Sequence, residues 1–283
     1  MAVDGEVAAV RRAIALSALG LGSTSPNPPV GCVILDLNGN VAGEGYHLRK
    51  GRPHAEANAL AAAGPRGQGG TAVVTLEPCC HHGRTPPCHQ ALLDAGIARV
   101  VVALIDPTSR DDGGVAKLRA EGVDVEVGVL ADEARIVLGP WLHALHTRRP
   151  HVTWGRLAAS SPELAALRVG VDAVLRGTGR VEEGRPGAHA PDVFQLHDVD
   201  MATGPHAVLE SLYGQGVRSV LLDADDVVAG AWLAAGLVDR LVAHTADQGP
   251  SSPGKACPLP EGFALVSTTR VASGALVEAR KTR

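Results

Sequence analysis

His54-Ala55-Glu56, Glu77-Pro78-Cys79 and Cys88 are the residues whose types and order equip this chain for chemistry. One imidazole and two thiolates give a zinc ion three protein ligands and leave the fourth tetrahedral position open to water. The thiolates offset the charge of the ion, and a water at such a centre ionises near neutral pH. Glu56 lies two residues past His54, in the first turn of an expected helix, where it reaches across the metal without ligating it. A carboxylate there takes a proton from the water, passes it to a ring nitrogen and later protonates a leaving amine. The competing reading is a closed structural zinc, with Cys80, His81, His82 or His89 as the fourth ligand. Cys32, inside an apolar run, and Cys257, in a loop rich in Pro and Gly, read as packing residues.

Regular elements must carry these groups. Val7, Val10, Ile14 and Leu16 or Leu19 recur at roughly helical spacing over residues 4–20, with Asp4 as the expected cap. Pro26-Asn27-Pro28-Pro29 breaks that helix. Apolar runs Val30–Leu35 and Val41–Tyr46 flank Leu37-Asn38-Gly39-Asn40, and Asn-Gly between such runs predicts a hairpin. Helices are expected at Glu56–Ala63, Pro87–Ala95, Val115–Glu121 and Ala131–His146. Strands are expected at Thr71–Leu76, Ala98–Leu104 and Val123–Val127, so helices cover both faces of a mixed sheet. His-Ala-Glu thus opens a helix after a hairpin, and Pro-Cys ends a strand. The second half is sparser. Strands are predicted at His151–Trp154, Ala173–Leu175, Ser219–Asp223 and Arg240–His244, and helices at Pro162–Arg168 and Asp226–Ala235. Residues 179–206 and 247–262, rich in Gly and Pro, show little periodicity.

The 283 residues suit two compact domains, expected at 1–147 and 150–283 around the polar link His146-Thr147-Arg148-Arg149-Pro150. Apolar residues make up 45% of the chain but aromatic ones only 2%, so Ala, Val and Leu must build the core. The formal charge is −4, from 26 basic and 30 acidic residues. That balance, with so few rings, argues against a nucleic-acid partner, an RNA- or DNA-editing enzyme included. No apolar run is long enough to span a membrane, and the start lacks the blocks of a signal peptide. A cytoplasmic protein without disulfides and without a membrane partner is expected.

Eight residues separate Cys79 from Cys88, where deaminases acting on nucleic acids and free nucleosides commonly carry Cys-x-x-Cys. Asn27-Pro28-Pro29-Val30-Gly31, His54-Ala55-Glu56 and the run Thr75-Leu76-Glu77-Pro78-Cys79 through His81, Gly83-Arg84-Thr85-Pro86-Pro87 to Cys88 stand in order. In these motifs the first 150 or so residues resemble the deaminase domain of the bacterial bifunctional riboflavin-biosynthesis deaminase/reductase family. The resemblance implies an α/β fold: an N-terminal cytidine-deaminase-like three-layer αβα domain with a mixed sheet, and a smaller, dihydrofolate-reductase-like C-terminal domain. It implies one Zn2+ per chain on His54, Cys79 and Cys88, Glu56 as the catalytic residue, and a homodimer. The implied substrate is a phosphorylated aminopyrimidine, 2,5-diamino-6-ribosylamino-4(3H)-pyrimidinone 5′-phosphate, which would lose its ring amine as ammonia. Asn27 would bond the pyrimidine or sugar, Arg84 and Thr85 the phosphate, with His47, His81 and Asp106 as neighbours. After Asp106-Pro107 the family continues Asn-Pro, whereas this chain reads Thr108-Ser109, which leaves open a modified pyrimidine of a related pathway.

His151-Val152-Thr153-Trp154, Asp172–Gly179 and Ser219–Asp223 resemble landmarks of the family's NADPH-dependent reductase domain. The family's Ser-Leu-Asp-Gly segment is absent, and its Glu-Gly-Gly phosphate cradle reads Asp223-Ala224-Asp225. Glycines let backbone N–H groups approach a phosphate, whereas two carboxylates repel one. The expectation is a shortened, degenerate reductase half that takes no NADPH. Two alternatives remain: a complete bifunctional enzyme, and a non-catalytic protein that binds a metabolite.

Overall fold

The computed structural model describes residues 1–80, 86–109, 113–246, 259–271 and 274–282. The chain forms two units, Met1–Gly139 and Pro140–Arg283.

In the first unit, helix α1 (Asp4–Ala18) leads into the hairpin β1 (Gly31–Leu35) and β2 (Val41–Tyr46). Then follow α2 (Ala55–Ala63), β3 (Thr71–Leu76), α3 (Cys88–Asp94), β4 (Arg99–Leu104), α4 (Gly113–Ala120), β5 (Asp124–Val127) and α5 (Ala131–Thr147), which runs into the second unit. The mixed sheet has the order β2-β1-β3-β4-β5: β1 is antiparallel to both neighbours, while β3, β4 and β5 are parallel. Cys32, Ile34, Val74, Val100 and Val102 face a core shared with Ala55 and Ala59 of α2, Leu92 of α3 and Leu118 of α4. On the opposite face, the side chain that Gly31 lacks would strike the backbone of α1 at Ala13, and Arg11 of α1 pairs with Glu133 of α5. Helix, sheet and helix thus form three layers.

Asp4 is not the cap. Val3 takes that position in extended conformation, and its N–H donates to Glu6 Oε2 at 3.0 Å, so Asp4 already belongs to the helix. The hairpin forms where Asn-Gly stands, with Asp36 Oδ1 accepting the N–H groups of Asn38 and Asn40.

The second unit holds β6 (His151–Arg156), α6 (Pro162–Val169), β7 (Ala173–Arg176), β8 (Val181–Glu183), α7 (Pro205–Gly214), β9 (Ser219–Asp223), α8 (Asp226–Ala234), β10 (Arg240–Ala246), β11 (Phe263–Val271) and β12 (Gly274–Lys281). Its seven-stranded sheet has the order β11-β12-β10-β6-β9-β7-β8, with β10, β6, β9 and β7 parallel. Val208, Leu209 and Leu212 of α7 and Trp232 of α8 pack on Val152, Trp154, Leu175 and Val220. Leu164 of α6 packs on Val174 and Leu221 of the other face. All three tryptophans, Trp141, Trp154 and Trp232, lie buried within this unit.

Helix α7 and strands β8, β11 and β12 go beyond the sequence reading. Pro205 starts α7, and Val208, Leu209 and Leu212 form a short buried stripe, a signal the preceding loop obscures. β11 is exposed along most of its length, so it lacks the alternation of a half-buried strand.

Candidate active site

The ligand set is assembled at the ends of elements, beside the carboxyl end of the sheet's central strand, β3. β3 delivers Pro78-Cys79 just past its last residue, His54 occupies the N-cap of α2, and Cys88 opens α3. Carboxyl ends of parallel strands and the helix starts beside them are where open α/β sheets build sites. Close approach of α2 to the hairpin fixes His54. On β2, a methyl group at Gly45 would stand 2.4 Å from Ala59 N and 2.5 Å from Ala55 O, and one at Gly43 would stand 2.3 Å from Ala59 O. Glycine opposite alanine lets the two backbones come almost into contact.

His54 Nδ1 lies 3.7 Å from Cys79 Sγ and 3.3 Å from Cys88 Sγ, and the three atoms all fall within 4.8 Å of one another. A tetrahedral ion with Zn–N near 2.0 Å and Zn–S near 2.3 Å separates such donors by about 3.6 Å, so the set fits zinc. The Cys88 N–H donates to Cys79 Sγ at 3.3 Å. The Cys79 thiol is pushed down to about 4, first by its hydrogen bond with the Cys88 thiol and then by His54 and that backbone donor. The same bond and burial push Cys88 up. One sulfur is therefore readily a thiolate, and a bound cation would favour the second.

Glu56 is buried at 3% exposure beside these ligands, and burial raises its carboxyl above the ordinary range. His47 joins the site through its ring, 5.2 Å from that of His54 and edge-on. Its Nδ1 donates to Pro53 O at 3.1 Å, and its Nε2 accepts from Asn27 Nδ2 at 3.2 Å. Burial pushes His47 down to about 4, so this neutral tautomer is the one that persists. The bond fixes the Asn27 amide and leaves Asn27 Oδ1 to accept from another partner. Asp106 enters by a different route: its N–H donates to Glu77 Oε2 at 3.3 Å, and its own Oδ1 accepts from the N–H and hydroxyl of Thr108, both at 2.7 Å. His81, Arg84 and Thr85 lie outside the described residues, as do His82 and Cys257. His89 is not a fourth ligand: its Nδ1 bonds Cys79 O at 3.1 Å. Cys32 is fully buried in the core.

Glu77 is the residue whose part the sequence leaves unseen. It is 5% exposed and accepts three hydrogen bonds, all from the segment that follows β4. Its place before Pro-Cys was visible, but its partners lie far along the chain.

A family model described as the cytidine and deoxycytidylate deaminase zinc-binding region matches residues 6–104. The riboflavin biosynthesis protein RibD of Mycobacterium tuberculosis is 37% identical over 273 residues, covering 80% of each chain. This chain belongs to the RibD family. A crystal structure of a diaminohydroxyphosphoribosylaminopyrimidine deaminase/5-amino-6-(5-phosphoribosylamino)uracil reductase from Thermotoga maritima matches 98% of the chain and 99% of its own, at TM-score 0.80 and 26% identity. The diaminohydroxyphosphoribosylamino-pyrimidine deaminase of Buchnera aphidicola is 51% identical over 127 residues, covering 44% of this chain and 86% of its own. The expected fold and membership stand: a cytidine-deaminase-like unit and a second α/β unit, in a hydrolytic pyrimidine deaminase of riboflavin biosynthesis.

Proposed function

We propose that the first unit hydrolyses the ring amine of 2,5-diamino-6-ribosylamino-4(3H)-pyrimidinone 5′-phosphate and releases ammonia. The observation that carries this reading is the convergence of His54, Cys79 and Cys88 beside the buried Glu56. Zinc held by His54 Nδ1 and the sulfurs of Cys79 and Cys88, one ion per chain, would supply the Lewis acidity that makes water nucleophilic at neutral pH. The protein's own part is proton traffic and orientation. Glu56 takes one proton of the attacking water and gives it to the ring nitrogen, then takes the second from the hydroxyl added to the ring carbon and gives it to the amine as the C–N bond breaks and the carbonyl forms. Asn27, its amide fixed by His47, accepts through Oδ1 from an N–H or O–H of the substrate. Glu56→Gln tests the assignment: zinc stays at one per chain while ammonia release falls by about 10²–10⁴. Near-normal turnover in that variant would remove Glu56 from this role.

The same reading gives the second unit no hydride transfer, because its residues do not fit NADPH. The cleft beside Gly155, Arg156, Leu157 and residues 223–227, about 640 Å³, opens where β6 and β9 end. A dinucleotide phosphate would need the backbone donors at the start of α8. Asp225 already holds them: its Oδ1 accepts from Val227 N at 3.1 Å and Val228 N at 2.9 Å. Asp223 pairs with Arg176 and Asp226 with Arg156, so acidic groups also claim the nearby guanidiniums. Titration with NADPH should show no saturable binding and no reduction of the deaminated product. Tight binding coupled to turnover would restore the bifunctional alternative.

A further inference from the structure

Two stretches of chain, residues 106–109 and 113–115, meet on the Glu77 carboxylate. Its Oε2 accepts from Asp106 N at 3.3 Å and from the Ser109 hydroxyl at 2.8 Å, and its Oε1 accepts from Val115 N at 3.0 Å. The approach is so close that only glycine fits. A methyl group at Gly113, whose φ is +73°, would lie 2.3 Å from Glu77 Oε1, and one at Gly114 would lie 1.9 Å from Pro78 O. The β3–β4 ladder continues into Glu77, whose N–H donates to Leu104 O at 2.8 Å. Two residues further along stands the ligand Cys79. One buried carboxylate therefore ties the end of β3, which carries the ligand, to the loop after β4, which carries Asp106.

The loop side of this tie is equally specific. Asp106 Oδ1 is engaged by both donors of Thr108, and Ser109 N donates to Asp106 O at 3.1 Å, which closes a tight turn. Two donors on Oδ1 restrain the rotamer of Asp106. The turn is joined to Glu77 at both of its ends, through Asp106 N and the Ser109 hydroxyl.

We propose that Glu77 is a positioning residue: by joining Asp106, Ser109 and Val115 beside the Pro78-Cys79 strand end, it sets where the Asp106 carboxylate meets the substrate, and so governs substrate affinity and not the chemical step. The proposal rests on the reading of Asp106 as a substrate contact. Thr108 and Ser109, where the family continues Asn-Pro, supply the hydroxyls that this arrangement uses.

Steady-state ammonia release by the zinc-loaded full chain tests it, with zinc content measured for each variant. Glu77→Gln, which cannot satisfy all three donors, is expected to raise KM about tenfold at nearly unchanged kcat and full zinc content. Ser109→Ala removes one hydroxyl from a half-buried loop position and should raise KM several-fold, which keeps the proposal testable if Glu77→Gln folds poorly. The deciding measurement is the double-mutant cycle. If Glu77 acts through Asp106, neither Glu77→Gln nor Ser109→Ala should raise KM further once Asp106→Ala is present. Multiplying KM effects, loss of zinc, or a fall in kcat at constant KM would overturn the proposal. If Asp106→Ala alone leaves KM unchanged, the substrate contact itself is wrong. The proposal then falls with it, while a KM effect of Glu77→Gln would persist and mark the separate failure.

Discussion

Each side chain in the site has its protonation state set by what surrounds it. His47 is the clearest case. Desolvation holds it neutral down to about pH 4, and the bond from Asn27 Nδ2 needs an unprotonated Nε2. Asn27→Asp would place a carboxylate against that lone pair, and the pair would close only once His47 takes up a proton. The expected result is a His47 pKa raised by about 1–3 pH units, seen in its imidazole NMR titration, together with a KM raised roughly tenfold. An unmoved titration would mean that Asn27 does not face Nε2. Residues of this kind were partly legible in the sequence. His54, Glu56, Cys79 and Cys88 were, because metal chemistry demands particular atoms at particular spacings. Glu77 was not, because its donors at Asp106, Ser109 and Val115 are 29, 32 and 38 residues away and two of them are backbone N–H groups that no side-chain pattern encodes.

Elements carry those side chains to one another, and the tolerance is narrow where α2 lies on β2. Gly45→Ala would drive a methyl group into the backbone of Ala55 and Ala59. Backbone cannot rotate away as a side chain can. The variant should lose about 1–3 kcal/mol of stability. His54 caps α2 and Glu56 sits on its first turn, so zinc occupancy and turnover of the variant should fall together. Thermal melts and elemental analysis check both. The Asn-Gly hairpin, the β3 and β4 runs and the helix opening at His-Ala-Glu could be read in advance because continuous apolar runs, buried on both faces, are punctuated by turn chemistry. The β11–β12 hairpin could not, since residues such as Leu265 and Val266 stay half exposed and impose no pattern. The start of α8 shows the same limit on a smaller scale. Asp223-Ala224-Asp225 announced that a glycine cradle was missing, but only the structure shows Asp225 capping the helix itself.

At the scale of the whole chain, a buried histidine pair gives the second unit its own source of sensitivity to acid. In the second unit His151 and His143 meet edge-on at 5.3 Å, and burial lowers both, His151 to about 4 from the ordinary 6.5. Asp239 opposes the shift, while Arg149 and Arg240 reinforce it for His151. The unfolded chain therefore binds a proton between pH 6.5 and 4 that the folded unit refuses, so stability falls as pH drops through that window. Hydrogen exchange of β6 and β10 should quicken across it, and His151→Gln should flatten the dependence. A slope unchanged by that substitution would place the sensitivity elsewhere.

The buried indoles belong to the second unit alone, while the metal ligands belong to the first. Intrinsic tryptophan emission is therefore a gauge of the second unit: it follows the packing around Trp141, Trp154 and Trp232. Cobalt substitution, whose visible bands arise at the thiolates themselves, would give the first unit its own colour.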